Sequence, residues 1–545
     1  MYNLAGLEMY LSKRTLLRKL TPAFLLFWLL PALACNYPVA EPDGLTSQEQ
    51  ARETIVAQLV ATAWELHRPT ESLATPVPPS PVEPPAASPA PSEPIFEPSA
   101  TPPVGQPADL VSDSYYFYYS VLPGDTLEGV AGRFEVEASQ ITSSDWIPTG
   151  SLLSPGQVLV IPNLLETLAS LPALLPDSEV VFSPASIDFS IENFIYASAG
   201  YLSGYSEMVD DELLSGTEIV RRVAYDTSTN PRLLLALLEY RAGWVRGQPI
   251  HAEAETYPLG FYVPEYTGLY KELALAAKQL NTAYYAWRAG SLTQIRFPNG
   301  GSLRLDPQSN AGSVAVQYVF ARFFSQSLWE EALYGARSFN LLYEQMFGDP
   351  WSRAERVGGI LPAGLAQPPL ELPFLPGERW SLTGGPHIAW NTGTPRGAVD
   401  FAPVTGETRC AVSRAWATAS APGLVSRSER GVVVLDLDGD GLEQTGWALV
   451  YLHVAESERV PSGTWVDVDD AIGHPSCEGG TSTGTHVHLA RKYNGEWLPA
   501  EGMVPFILSG WEVQAGERAY EGYLVKGDQV VSARPDGSRS SSIFR

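Results

Sequence analysis

Seven histidines occur in the 545-residue chain, and five of them fall between residues 387 and 488. Clustered imidazoles point to metal binding and proton transfer. The densest element is Ser482-Thr483-Gly484-Thr485-His486-Val487-His488-Leu489. Strand alternation puts His486 and His488 on one side, roughly 7 Å apart, so one can ligate a metal while the other addresses its water. Gly384-Gly385-Pro386-His387 comes earlier, and Asp400 follows thirteen residues after that histidine. Two imidazoles and a carboxylate are the kind of ligand set that holds zinc and leaves a position for water. A third element, Ala448-Leu449-Val450-Tyr451-Leu452-His453-Val454, reads as a strand with Tyr451 and His453 on one face. His474, in Ile472-Gly473-His474-Pro475, fits none of these roles and reads as a loop residue near the groove.

In this order the three elements resemble the lysostaphin-type zinc endopeptidases, over residues 373–510. Many members of that family place the first histidine four residues before the aspartate, where this chain has Arg396. The distant His387-to-Asp400 spacing and the run Thr383-Gly384-Gly385-Pro386-His387 are instead similar to the staphylolysin-like branch. The resemblance implies an antiparallel β-sheet domain with zinc in a groove, held by His387, Asp400 and His488. It implies His486 as general base and His453 as stabiliser of the transition state, with Arg396 an ordinary groove residue. The implied activity is cleavage of peptide bonds in peptidoglycan, in stem or cross-bridge peptides. Lysostaphin-type domains can lose their metal and serve as non-catalytic wall-binding or regulatory proteins, against which all five positions are present here.

The elements upstream predict a multidomain α+β chain, consistent with roughly three to four domains at this length. Residues 115–163 read as strand, helix, helix, strand, with a turn at Gly124-Asp125-Thr126. This βααβ pattern resembles the LysM module in Tyr119-Ser120-Val121, in Gly124-Asp125-Thr126-Leu127, in Ile141 and in the closing Gly156-Gln157-Val158-Leu159-Val160-Ile161-Pro162. The resemblance implies binding of N-acetylglucosamine-containing glycan, with Asp145-Trp146 standing where an asparagine is usual. Residues 180–352 carry apolar positions at helical spacing and predict an all-α domain. There, Asn230-Pro231-Arg232-Leu233 opens a helix ending in Leu238-Glu239, which resembles lysozyme-like lytic transglycosylases. That resemblance implies Glu239 as a glycan-cleaving general acid and a bifunctional hydrolase; an ordinary helix glutamate is the alternative.

The N-terminus sets the compartment. Lys13, Arg14, Arg18 and Lys19 precede an apolar run to Leu33, as in a signal peptide over 1–35. Its end, Ala32-Leu33-Ala34-Cys35, resembles a lipoprotein signal, which implies Cys35 as the lipid-bearing residue and an extracytoplasmic protein anchored to a membrane. Ordinary cleavage there and an uncleaved anchor are the alternatives. Residues 36–67 include a short amphipathic helix, and 68–112 form a disordered, Pro-rich linker. Cys410 and Cys477 remain as an even pair in an oxidising compartment, where a disulfide is expected. With 61 acidic against 35 basic residues, the net charge of -26 excludes a nucleic-acid surface as a natural reading. Asp436-Leu437-Asp438-Gly439-Asp440-Gly441 begins like a calcium loop, but position twelve is Trp447, so an acidic hairpin turn is expected. Residues 511–545 read as C-terminal strands and a polar tail.

Overall fold

The computed structural model describes residues 111–112, 115–165, 170–404 and 409–545. The signal segment with Cys35, the helix expected within 36–67 and the Pro-rich segment up to residue 110 lie outside the described residues. Among the described residues, no helix is long and apolar enough to cross a membrane.

The first domain is a three-stranded antiparallel sheet of β1 (Val111–Ser112), β2 (Tyr116–Ser120) and β3 (Val158–Pro162), with α1 (Leu127–Phe134) packed on it. Thr126 caps α1 by accepting the Gly129 N–H. The second helix expected from sequence is only a single 3-10 turn at Ala138–Gln140. Buried Asp125 accepts from Tyr119 Oη at 2.5 Å and pairs with Arg133 at 2.5 Å, so the turn's acidic residue is spent inside the module.

The second domain holds α2 (Ile191–Ser198), β4 (Ser206–Val209), β5 (Glu212–Ser215), α3 (Gly216–Thr227), α4 (Pro231–Ala242) and α5 (Leu269–Arg288). It continues with β6 (Gln294–Arg296), β7 (Ser302–Arg304), α6 (Ala311–Ala321), α7 (Gln326–Tyr334), α8 (Phe339–Phe347) and α9 (Pro350–Val357). It is mainly helical but not all-α: β4 with β5, and β6 with β7, form two small hairpins that the helical periodicity hid. Every residue of α4 is buried, which makes it the domain's central helix. Asn230 caps its start, Pro231 fits its first turn without an orphaned N–H, and Gly243 ends it at φ 70°.

The third domain is built on a nine-stranded sheet. Its strands are β8 (Arg379–Ile388), β9 (Arg396–Pro403), β11 (Gly423–Glu429), β12 (Val432–Asp436), β13 (Trp447–Leu452), β14 (Trp465–Val466), β16 (Val487–Tyr493), β17 (Glu496–Trp497) and β22 (Ser542–Phe544). The order is β14-β11-β12-β13-β16-β9-β8-β22, with β17 paired to β16. Two further strands, β10 (Ala417–Thr418) and β15 (Ala471–Gly473), pair with each other. A separate antiparallel sheet contains β18 (Ile507–Leu508), β19 (Trp511–Ala515), β20 (Gly522–Lys526) and β21 (Gln529–Ser532). The tail then returns: β22 joins the edge of the main sheet, with Ile543 buried opposite Trp380. The C-terminal residues therefore complete the third domain.

Alternation along the central strands places successive side chains in two different cores. Val433, Leu435, Leu449, Tyr451, Leu489, Val399 and Phe401 pack in one, with the C-terminal strands. Val432, Val434, Ala448, Val450, Ala490 and Ala398 pack in the other, which is continuous with the helical domain's own core. The helical domain thus covers one face of the sheet. At that junction buried Arg288 pairs with Glu496 at 3.2 Å and Asp177 at 2.9 Å, and its Nη1 donates to the Pro123 carbonyl of the first domain at 2.5 Å. One guanidinium therefore ties three domains together. Tyr284 Oη donates to Glu496, and Tyr285 Oη accepts the Trp497 N–H.

Candidate metal centre

Three neighbouring strands bring the ligand candidates into line. His488 on β16 pairs in register with Asp400 on β9, and Asp400 pairs with Gly384 on β8. A Cβ at Gly384 would stand 2.4 Å from Asp400 Oδ2, so only glycine leaves room for that carboxylate. The β8–β9 register then shifts between Gly384 and His387, an irregularity that re-aims His387 at Asp400. His387 Nε2 and His488 Nδ1 each lie 3.3 Å from Asp400 Oδ1, and 3.0 Å from one another.

All three side chains are buried. Ligand atoms from the three lie within 4.8 Å of one another, and buried Asp400 Oδ1 has no hydrogen-bond partner. The other ring nitrogens are spent on carbonyls: His387 Nδ1 on Gly385 at 2.9 Å and His488 Nε2 on Ala389 at 2.9 Å. A carbonyl only accepts, so each ring donates there and turns its remaining lone pair towards Asp400. An orphaned buried carboxylate oxygen facing two imidazole lone pairs fits a divalent cation with zinc's preference for N and O donors. Burial works against the charge on Asp400, yet the three histidines outweigh it and hold its carboxyl well below the usual carboxylate range. Burial lowers the His488 pKa; for His387, Asp400 overcomes burial and raises it.

His486 and His453 stand beside this set. His486 Nε2 is 3.6 Å from Asp400 Oδ1, and the His453 and His486 ring centres are 4.5 Å apart. His486 precedes β16, yet it reaches the same side as His488, in keeping with the alternation argument. Tyr451 and His453 do not share a face. Tyr451 points into the opposite core and accepts the Ser420 N–H, whereas β13 ends at Leu452 and a left-handed backbone at His453, φ 67°, swings its ring to the metal side. Both rings donate through Nδ1, His453 to Glu478 at 2.7 Å and His486 to Gly484 at 2.7 Å, which leaves Nε2 as an acceptor on each. Burial and neighbouring His486 push the His453 pKa down to about 4, so that ring is neutral at physiological pH.

A cleft of about 1620 Å³ opens onto these five residues. Helical-domain residues Arg222, Asp226, Thr227 and Tyr270 line it as well, as expected for a site on the covered face of the sheet. The structure joins Cys410 to Cys477, with Cα atoms 5.2 Å apart. That link ties down the segment whose Ser476 N–H and Glu478 carbonyl hold His453.

Other sequence candidates sit elsewhere. The Arg396 guanidinium does not act in the groove; it donates to the Pro386, Gly516 and Arg518 carbonyls and buckles β9 to the C-terminal loop. His474 is buried under Trp416, ring centres 3.8 Å apart, and bonds Ala415 and Glu458. Glu239 is buried at the end of α4, where its carboxylate accepts the Val245 and Arg246 N–H groups. Asp436, Asp438 and Asp440 close the β12–β13 hairpin. Their carboxylates accept turn N–H groups, and no glutamate stands at position twelve.

Sequence reasoning missed Tyr520. Its ring stacks on His387, centres 4.2 Å apart and 21° from parallel, and it lines the cleft. It lies at φ 69° in the β19–β20 connection, a conformation a tyrosine keeps only where its surroundings enforce it. Only tertiary folding brings residue 520 to residue 387, so no local pattern marked it.

Residues 119–162 match the LysM domain, and residues 173–360 match the LasA N-terminal domain. The chain is 25% identical to Protease LasA of Pseudomonas aeruginosa over 335 residues, covering 57% of this chain and 75% of that protein. It is 28% identical to the beta-lytic metalloendopeptidase of Lysobacter enzymogenes over 173 residues, covering 29% of this chain and 90% of the relative. Among solved structures, the M23 metalloprotease pseudoalterin is 22% identical, covering 34% of this chain and all of that one, at a TM-score of 0.28. The chain thus carries a LysM domain and a LasA N-terminal domain, and it is homologous to metalloendopeptidases.

Proposed function

We propose that this protein is a zinc-dependent endopeptidase that cleaves peptide bonds in the stem or cross-bridge peptides of peptidoglycan. The observation that carries the reading is buried, partnerless Asp400 Oδ1 facing His387 Nε2 and His488 Nδ1, with two further imidazoles beside it. Homology to metalloendopeptidases and a LysM domain in the same chain support it.

His387, Asp400 and His488 would hold the zinc. Zinc, when bound, polarises the scissile carbonyl and lowers the pKa of the attacking water towards about 7. His486 takes that water's proton at Nε2 and returns it to the leaving amine. His453, neutral and fixed by the Glu478 carbonyl, orients the water by accepting at Nε2. The second proton of that water passes to His453 Nε2, from which the ring then donates to the oxygen that develops charge. Tyr520 keeps the His387 ring in plane. The covered sheet face excludes bulk water from one side of the cleft.

The LysM module supplies targeting: holding the peptidase on its polymer raises local concentration without new contacts at the scissile bond. Trp146, 82% exposed, offers a stacking platform for glycan. Export with a lipid anchor at Cys35 completes the reading. The full chain, loaded with zinc and given defined stem and cross-bridge peptides, is expected to hydrolyse one class. Hydrolysis that survives Asp400→Asn would overturn the ligand assignment.

A further inference from the structure

His453 and His486 stand at the ends of different strands, yet the carbonyls that fix their rings belong to one loop. Glu478 accepts from His453 Nδ1 and Gly484 from His486 Nδ1, each at 2.7 Å. The loop is Cys477-Glu478-Gly479-Gly480-Thr481-Ser482-Thr483-Gly484-Thr485, closed by a bridge between Ser476 and His486. It has little stiffness of its own: Gly479, Gly480 and Gly484 have the widest backbone freedom, and none of residues 478–485 is buried.

Order is imposed from outside the loop by three consecutive residues in the connection between β9 and β10. Cys410 is bonded to Cys477. Arg409 Nε donates to the Thr483 carbonyl, and the Ala411 carbonyl accepts from Thr485 Oγ1 at 2.6 Å. The covalent hold therefore lies one residue from the Glu478 carbonyl, and the two polar holds flank the Gly484 carbonyl. Arg409 is exposed and Thr485 half-buried, so water competes for those hydrogen bonds, and the disulfide is the hold that water cannot replace.

We propose that the Cys410–Cys477 disulfide is a positioning element for both His453 and His486, and that the peptidase is switched off when this bond is reduced and on when it re-forms. The inference rests on the two histidines being catalytic. Cys410 is exposed and Cys477 half-buried, so a reductant in solution reaches the bond. A water-soluble phosphine delivers two electrons to it; the phosphine takes up the oxygen of one water, whose two protons end on the two thiols. A small-molecule disulfide reverses the change, accepting those electrons and protons as two thiols of its own.

The test uses the zinc-loaded full chain, as wild type and as Cys410→Ala/Cys477→Ala, on the peptide class it cleaves. Reduction of the wild type should lower kcat about tenfold or more, since small misplacements of catalytic groups are costly, with KM and zinc stoichiometry unchanged. Reoxidation should restore it. The double variant should show the lowered kcat from the start and be indifferent to the phosphine, which excludes Cys35 and the metal as its target. Amide hydrogen exchange at residues 477–486 should quicken about tenfold on reduction while β12 and β13 stay protected, reporting local opening in a folded domain. Unchanged kcat after complete reduction, verified by thiol labelling, overturns the proposal. So does loss of zinc, or of protection in β12 and β13, which would make the bond a staple of the fold alone. A double variant that the phosphine still inhibits overturns it as well. If the wild-type chain cleaves no peptide, the catalytic reading falls, and the exchange comparison still decides whether the disulfide holds the loop.

Discussion

Nε2 of His387 and Nδ1 of His488 lie 3.0 Å apart across two strands, and each lies 3.3 Å from one buried oxygen of Asp400. Three donors crowd around a point with no hydrogen-bond partner for that oxygen. Chelation should abolish activity, and stoichiometric zinc should restore it. Zinc should also raise Tm, because a ligand at a hundred times its Kd adds about 2.7 kcal/mol to folding stability. A Tm indifferent to zinc and chelator would contradict the assignment of all three ligands.

The two histidines outside the ligand set should separate from those inside it. His486→Ala and His453→Ala should each lower kcat about a hundredfold or more, as removal of a general base or an oxyanion donor does. Zinc content measured by mass spectrometry should stay at one per chain in both. Loss of metal with either substitution would make that residue a ligand instead.

Tyr520 should tune the metal and not the proton transfer. Tyr520→Ala removes the ring stacked on His387 and should weaken zinc binding about tenfold, the lower end for residues that orient ligands. Tyr520→Phe keeps the stack and should bind zinc like the wild type. Competition with a chromophoric chelator reads both.

How much of this was legible in the sequence differs from residue to residue. His486 and His488 were readable because strand alternation is local, and His387 with Asp400 because a short motif surrounds each. His453 was found, but its face was not: the alternation that would pair it with Tyr451 breaks at the end of β13, where a positive φ turns the ring round. The hairpins β4–β5 and β6–β7 were hidden because strands of three and four residues leave no periodicity among long helices. The covering of the metal face by the helical domain was not readable. Val432 and Val433 look alike in sequence, though one packs against the helices and the other against the C-terminal strands.

That junction carries a stability prediction. Arg288 and Glu496 are a buried pair, and Glu496→Ala removes one of the guanidinium's two carboxylate partners, leaving Asp177, and takes away the acceptor of Tyr284 Oη. The cost should be about 1–3 kcal/mol, as for a buried donor left unsatisfied. Glu496→Gln, which can still accept from Tyr284, should cost less. Urea denaturation of the full chain measures both; a Glu496→Ala loss under about 1 kcal/mol would place the pair among weak surface contacts.

The acidic hairpin turn sets a pH dependence of opposite sign to that of most carboxylates. Burial and neighbouring Asp438 push Asp436 up to about 6. A carboxyl whose folded pKa is raised binds its proton more tightly in the folded state. Its stabilisation is full below about pH 4, the unfolded value, and is lost as pH rises through about 6. Lowering the pH from 7.5 to 5 should therefore add stability through this site, and Asp436→Asn should flatten that part of the Tm profile. An unchanged slope in the variant would show that Asp436 titrates normally.

The central claim is tested most directly by mass spectrometry of the fragments that the zinc-loaded full chain releases from purified peptidoglycan sacculi, beside His486→Ala at equal concentration. The account predicts peptide-cleaved fragments with new amino termini from the wild type and none above background from the variant. Intact cross-links after prolonged incubation with the wild type, or the same fragments from both proteins, would contradict it.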